Sequence, residues 1–283
     1  MSPNFLSNLV GCFSIPATEN PTVAMMEAVF QHHEMDWRYI NCEVTPENLG
    51  AAVKGAWALG WAGFHCSLPH KVSVIEHLDG LGKSAEIMGA VNTVVRRGAK
   101  FIGENTDGVG FVQALQPITD IGGKTIVIFG AGGAARAVSV ELALAGARKI
   151  VVVNRGRARG QGLVDLLNAR TDAAAELVVW DDTFSVTGDV QIVINATSIG
   201  LKPDIDGRLD VDMASFRPDL VVADGIPNPP LTLLVREAQA RGCRVLDGVG
   251  MLVNQGVTSV KYWSGVDVDA TVMRKAVEQA LND

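Results

Sequence analysis

Between residues 125 and 246 the chain repeats one pattern: a short apolar run, a polar or glycine-bearing break, then a longer stretch whose apolar residues recur at helical spacing. The runs are Thr125–Phe129, Ile150–Val153, Leu177–Val179, Ile192–Ile194, Leu220–Ala223 and Val245–Leu246. Unbroken β-branched runs of this kind predict strands buried on both faces. Ala134–Ala145 and Leu231–Ala240 read as helices between them. Strands alternating with helices predict a parallel, doubly wound sheet of the Rossmann type, placed here at 109–248.

The first hundred residues are less regular. Asn8–Gly11, Arg38–Cys42 and Trp61–Cys66 read as strands. Pro21 is placed to open a helix, with Met25, Met26, Val29 and Phe30 following at helical spacing. Thr45-Pro46-Glu47 reads as cap, first-turn proline and first-turn acid of a helix running toward Leu59. Asn92–Arg97, the break Gly98-Ala99 and Lys100–Gly103 predict a hairpin. Met251–Asp283 is mostly helical. The expected architecture is therefore α/β: an N-terminal α/β domain at 1–108, the Rossmann-type domain at 109–248, and C-terminal helices at 249–283 packing back on the first.

Composition narrows the picture. At 283 residues the chain exceeds the size at which one core stops growing, which favours two domains. The hydrophobic share of 48% and the charged share of 19% suit a sheet covered on both faces. The net charge of −7, with no basic stripe, argues against nucleic acid as a partner. No membrane-length apolar stretch and no leader pattern are expected, so the location is read as cytoplasmic. Cys12, Cys42, Cys66 and Cys243 form no CxxC pair, and no His or Cys cluster has metal-ligand spacing, so reduced thiols and no metal are expected.

One motif carries cofactor chemistry. Phe129 is followed by Gly130-Ala131-Gly132-Gly133-Ala134-Ala135-Arg136, a GxGxxA pattern directly after a strand and opening a helix. Gly130 makes the turn, Gly132 lets the backbone approach a pyrophosphate, and Ala135 lets helix and strand pack closely. The helix N-terminus offers N–H groups and partial positive charge to the phosphates. About twenty residues on, where an acid would select NAD, the chain has Asn154-Arg155-Gly156-Arg157-Ala158-Arg159. Guanidinium groups there suit a 2′-phosphate, so NADP is preferred, with NAD possible.

Three other segments stand out: Ser67-Leu68-Pro69-His70-Lys71, Gly89-Ala90-Val91-Asn92-Thr93 and Glu104-Asn105-Thr106-Asp107-Gly108-Val109-Gly110. Alcohol oxidation needs a group that takes the hydroxyl proton, and a Lys or a Lys–Asp pair can do so. Asp107, between Thr and Gly, is expected in a turn. On spacing alone, a surface lysine and a turn-forming aspartate explain these residues as well.

Together these segments resemble the shikimate dehydrogenase family over nearly the whole chain. The resemblance implies Lys71 as catalytic lysine, Asp107 as its partner, and Asn92 and Gln255 as substrate contacts, with Ser67 beside them. It implies a cofactor site of Gly130, Ala131, Gly132, Gly133, Ala134, Asn154, Arg155, Arg159, Thr197 and Gly248. Asn195-Ala196-Thr197-Ser198 and Asp247-Gly248-Val249-Gly250-Met251-Leu252-Val253 match further motifs of that family. The implied activity is NADP-dependent interconversion of shikimate and 3-dehydroshikimate by a monomer or homodimer.

The chain departs from the family at the carboxylate end. An SxSP segment is replaced by Ala17-Thr18-Glu19-Asn20-Pro21, where Thr18 and Asn20 still offer hydrogen bonds but Glu19 adds negative charge. The stretch Asp224-Gly225-Ile226-Pro227-Asn228-Pro229 lacks a tyrosine common in the family. His65 and Ser67 stand where Asn and Thr are common, and Gly156 replaces a Thr. Quinate or another cyclic hydroxy-acid as substrate, and a non-catalytic NADP sensor, are the alternatives these departures leave open.

Overall fold

A computed structural model describes residues 6–18 and 20–282. The chain divides into two compact units, one built from residues up to Thr106 and from Gly256 onward, the other spanning Asp107–Gln255.

The first unit is built on a six-stranded mixed sheet. Its strands are β1 (Asn8–Ser14), β2 (Trp37–Glu43), β3 (Gly63–Cys66), β4 (Gly80–Leu81), β5 (Thr93–Arg97) and β6 (Lys100–Glu104), in the order β2-β1-β3-β5-β6-β4. β1 runs parallel to β2 and β3, while β5 is antiparallel to β3 and β6. The expected hairpin is present, with Arg97 opposite Lys100 across Gly98-Ala99. Helix α1 (Thr22–His32) starts directly after Pro21 and buries Met25, Met26, Val29 and Phe30, as the spacing predicts. The helix expected after Thr45 begins as a 3-10 turn, Pro46–Asn48, and becomes α2 (Leu49–Ala58) only at Leu49. Two shorter helices, α3 (His70–Ser73) and α4 (Lys83–Met88), complete the run.

Side-chain alternation splits this sheet into two faces. Phe13, Phe64, Cys66, Val94 and Phe101 join Leu49, Val53 and Ala56 of α2 in one apolar core. On the other face Cys12, His65 and Thr93 follow in register, with Tyr39 opposite Val10, two residues before Cys12 on β1. That face is polar toward the C-terminal ends of β1 and β2, where Ser14 lies opposite Glu43.

The second unit opens with α5 (Thr106–Leu115) and holds a six-stranded, all-parallel sheet. Its strands are β7 (Thr125–Phe129), β8 (Lys149–Asn154), β9 (Ala174–Val179), β10 (Ile192–Asn195), β11 (Val221–Asp224) and β12 (Arg244–Leu246). Their order, β12-β11-β10-β7-β8-β9, is that of a doubly wound Rossmann sheet. β7 and β10 are buried throughout, which explains their unbroken apolar sequence.

Three helices flank the strands: α6 (Gly133–Leu144), α7 (Arg157–Arg170) and α8 (Leu233–Ala240). α8 starts two residues later than the pattern suggests because Thr232 caps it, its Oγ1 accepting the Val235 N–H. The long helix α9 (Gly248–Ser264) contains the boundary between the units, and α10 (Ala270–Asn282) packs against α1 in the first unit.

Among the described residues no helix is long and apolar enough to cross a membrane. No group of three or more His, Cys, Asp or Glu side chains among them could hold a metal ion. All four cysteines are free thiols, three buried and Cys42 half-buried.

Candidate active site

In the first unit, Lys71 sits in the single helical turn α3, which Ser67-Leu68-Pro69 joins to β3. That turn is fixed at two points. The His70 N–H donates to the Ser67 carbonyl at 2.8 Å, and the buried His70 ring places Nε2 2.7 Å from the Val44 carbonyl. The Val91 N–H donates to the Lys71 carbonyl at 2.7 Å, which ties the Gly89-to-Thr93 segment to the lysine turn. Two of the sequence-predicted segments are thereby brought together. Ser67 is half-buried beside them, its N–H bonded to the Phe13 carbonyl at 3.0 Å.

Asn92 is buried at the mouth of β5, and its amide orientation is set by its neighbours. Its Oδ1 accepts the Thr106 N–H at 2.7 Å and the Thr93 hydroxyl at 3.1 Å, while Nδ2 donates to Thr106 Oγ1 at 3.0 Å. Ser259 of α9 joins this group, 3.1 Å from Thr93 Oγ1 and 3.2 Å from Thr106 Oγ1.

The segment after β1 is arranged differently from what its sequence suggests. Thr18 is exposed in a turn. Asn20 turns inward: its Oδ1 accepts the Thr22 N–H at 3.1 Å at the start of α1, and its main-chain carbonyl accepts Asn41 Nδ2 at 3.1 Å. The Ala17 N–H donates to the Glu43 carboxylate at 3.2 Å. Glu19, read above as a source of negative charge, lies outside the described residues, whereas Glu43 brings a carboxylate to the same segment. Beneath it Cys12 is buried, and burial pushes its thiol pKa up. Hydrogen bonding with Ser14, Tyr39 and Asn20 and the charge of Lys71 act in the opposite direction, so those groups surround the thiol.

The second unit holds the other predicted groups. Asp107 is not in a turn: it lies in the first turn of α5, half-buried, where a carboxylate complements the helix dipole. The motif read as a turn is a helix start because its glycines serve packing. A Cβ at Gly110 would come within 2.3 Å of the Gln255 backbone N, so α5 lies directly against α9 and sets Gln255 alongside it. Gln255 itself is buried.

The Gly130 turn has the form its sequence predicts. Gly130 has φ +107°, and a Cβ there would stand 2.8 Å from the Ala196 carbonyl oxygen. Only glycine allows this approach between the first turn and the segment after β10. At Gly132 and Gly133 the same test meets nothing within 4 Å, leaving the N-terminus of α6 open. Ala131 is half-buried, Ala134 exposed and Ala135 fully buried against the sheet.

At the end of β8, Asn154, Arg155, Gly156, Ala158 and Arg159 line a surface cavity, with Asn154 Nδ2 donating to the Gly156 carbonyl at 2.8 Å. Arg157 and Arg159 belong to the first turn of α7; the basic segment is a helix start, not a loop. An exposed, arginine-bearing hollow and an open helix N-terminus fit a phosphorylated dinucleotide.

Thr197 is held by a relay that sequence reading did not find. Asn195 Oδ1 accepts the Thr197 N–H at 3.0 Å and its hydroxyl at 2.7 Å. Asn195 Nδ2 in turn donates to both Asp224 oxygens at 3.1 Å. Asp224 also accepts the Thr232 hydroxyl at 2.7 Å and the Ile226 N–H at 2.9 Å. Burial raises the Asp224 pKa, and these hydrogen bonds oppose that shift. Gly248 is the buried first residue of α9, next to Ile226.

Comparison with known proteins gives consistent matches. Residues 15–94 match the shikimate dehydrogenase substrate binding domain, residues 113–216 the shikimate/quinate 5-dehydrogenase model, and residues 248–278 the shikimate 5′-dehydrogenase C-terminal domain. A shikimate dehydrogenase (NADP(+)) of Desulforamulus reducens is 36% identical, over 98% of this chain and 97% of its own. A crystal structure of a shikimate dehydrogenase with NADP+ is 35% identical, with TM-score 0.86 over 98% of this chain and 96% of that one. The ligand-free 5-ketofructose reductase of Gluconobacter sp. strain CHM43 is 50% identical, with TM-score 0.95 over 98% of this chain and 99% of that one.

Proposed function

Because the chain belongs to the shikimate dehydrogenase family, we propose that it is an NADP-dependent oxidoreductase interconverting shikimate and 3-dehydroshikimate. The observation that carries this reading is Lys71, held by the Val91-to-Lys71 backbone bond next to Asn92. The nicotinamide supplies or accepts the hydride when bound. Lys71 moves the proton: its amine takes it from the reacting hydroxyl in oxidation, and its ammonium returns it in reduction. The Asn92 amide, oriented by Thr93 and Thr106, donates to a ring hydroxyl. Ser67 contributes a further hydroxyl from the first unit. The second unit carries Asp107, assigned by the family's motifs to proton transfer, and Gln255, assigned to substrate binding. Its open α6 N-terminus takes the pyrophosphate, while Arg155 and Arg159 pair with the 2′-phosphate. Thr197 and Gly248 complete the cofactor side. Four reduced thiols fit a cytoplasmic enzyme.

A second substrate reading is favoured by one specific observation. The chain is 50% identical to a 5-ketofructose reductase, and the segment after β1 offers an anion little. Ala17 has no hydroxyl, its N–H is taken by Glu43, and the Asn20 amide nitrogen faces Asn41 Oδ1 at 3.5 Å. An uncharged keto-sugar would meet the same Lys71 without needing a carboxylate partner. Steady-state assays of the purified protein separate the readings: shikimate oxidation with NADP against 5-ketofructose reduction with NADPH, each repeated with the NAD couple. Higher kcat/KM with shikimate supports the first reading, higher kcat/KM with the keto-sugar supports the second, and turnover of neither rejects both.

A further inference from the structure

A buried line of polar groups crosses the first unit from β2 to the residue placed against the substrate. Tyr39 Oη lies 2.7 Å from His65 Nδ1, and His65 Nε2 lies 2.8 Å from Ser259 Oγ. Ser259 Oγ is 3.1 Å from Thr93 Oγ1, which is 3.1 Å from Asn92 Oδ1. All five side chains are buried.

The contact between Thr93 and Asn92 Oδ1, shorter than that of Thr106 Oγ1 to the same oxygen, gives this line one direction. Asn92 Oδ1 is a carbonyl oxygen and only accepts, so Thr93 gives it a proton. The Thr93 oxygen then accepts from Ser259, and Ser259, having spent its one proton, accepts from His65 Nε2–H. A neutral imidazole protonated at Nε2 has a bare Nδ1, which accepts from the Tyr39 hydroxyl. Thr106 Oγ1 adjoins the line, 2.9 Å from Thr93 Oγ1 and 3.2 Å from Ser259 Oγ, and accepts from Asn92 Nδ2 at 3.0 Å, so it adds a hydroxyl to the group without displacing the Thr93 bond to Asn92 Oδ1. Reversal of the line would turn the Thr93 hydroxyl away from Asn92 Oδ1 and loosen one of the bonds that fix the amide.

We propose that His65 is a positioning residue: as the Nε2–H tautomer, it orders Ser259 and Thr93 and so holds the Asn92 amide with Nδ2 as the group offered to substrate. This rests on the reading of Asn92 as a substrate contact but not on which substrate is bound. His65 does not touch the reacting atoms; it acts through Asn92.

The test is a double-mutant cycle in the full-length protein, on the substrate with the higher turnover. His65→Phe should lower kcat/KM about tenfold, the scale of one lost buried hydrogen bond. His65→Gln, which keeps a donor toward Ser259, should recover most of it. In an Asn92→Ala background, His65→Phe should cost nothing further. Additive losses, or a single-variant effect below about twofold, would overturn the proposal, since a merely structural histidine lowers activity whatever stands at position 92. NMR of the wild type supplies a readout independent of turnover and of the stability of the variants. The His65 ring should be protonated at Nε2, and Tyr39→Phe should shift both that ring and the Asn92 NH2 resonance. An Nδ1–H ring, or an unmoved Asn92 resonance, would refute the relay even if the enzyme is fully active. The expected NMR result in a protein that turns over neither substrate would leave the relay standing and reject only the functional reading.

Discussion

The Val91 N–H donates to the carbonyl of Lys71 across 2.7 Å, so the lysine turn and the segment that carries Asn92 into β5 share one backbone bond. This bond fixes the two main-chain segments against each other, and so the points from which the two side chains start. The buried His70 side chain secures the other side of the same turn through the Val44 carbonyl. A general acid–base group contributes about two to four powers of ten when correctly placed. Lys71→Ala should therefore lower kcat about a thousandfold while NADP binding, measured by calorimetry, stays within about twofold. A variant retaining near-normal kcat would remove Lys71 from proton transfer.

Cofactor choice is expected to rest on the hollow at the end of β8. Arg155 and Arg159 are exposed and line it together. A charge-assisted bond to a phosphate exceeds a neutral one, so losing it costs roughly one to two powers of ten in affinity. Arg155→Ala should raise KM for NADP about 10- to 100-fold and change KM for NAD less than about threefold. Equal losses with both cofactors would mean that Arg155 supports the loop and does not read the 2′-phosphate.

The parallel sheet was legible because its strands are buried on both faces, which leaves continuous runs such as Thr125–Phe129 and Ile192–Ile194. The first sheet was harder to delimit, because one of its faces carries polar residues inward; Asn8–Gly11 predicted only half of a strand that continues through Cys12 to Ser14. α7 went unread because its first turn is arginine-rich and its helical spacing is broken by Gly160 and Gly162. At the site, Lys71 and Asn92 were visible as motif residues. The groups behind Asn92 were not: Tyr39 and Ser259 come from distant segments, and only folding joins them to it through His65 and Thr93; Asp224 was equally invisible behind Thr197. His65 gave a partial signal, as a histidine where the family often has asparagine.

Glu43 is expected to set the balance between charged and neutral substrates. It lies opposite Ser14 in the β1–β2 register and holds the Ala17 N–H. A carboxylate at that corner repels an anionic substrate group, and its exposure limits the effect to about 1 kcal/mol. Glu43→Gln should raise kcat/KM for shikimate about three- to tenfold and leave 5-ketofructose within about twofold. The ratio of the two, measured on one preparation, cancels errors in active concentration. An unchanged ratio would exclude Glu43 from substrate selection.

Asp224 is expected to organise the far end of the second sheet. It accepts from Asn195, Thr232 and Ile226, and Asn195 in turn holds Thr197. Asp224→Asn places an amide donor among donors, so at least one of these bonds is lost in the interior. The cost should be about 2–4 kcal/mol in chemical denaturation, with weaker NADP binding through Thr197. The pH dependence gives a second handle. Burial raises the Asp224 pKa in the folded state, so folding favours its protonated form. That contribution is fully present below the unfolded-state pKa and is lost as pH rises through the higher folded value. The stability advantage of the wild type over Asp224→Asn should therefore shrink as pH rises across that window. A difference that instead grows with pH would show that hydrogen bonding to the ionised carboxylate outweighs its burial.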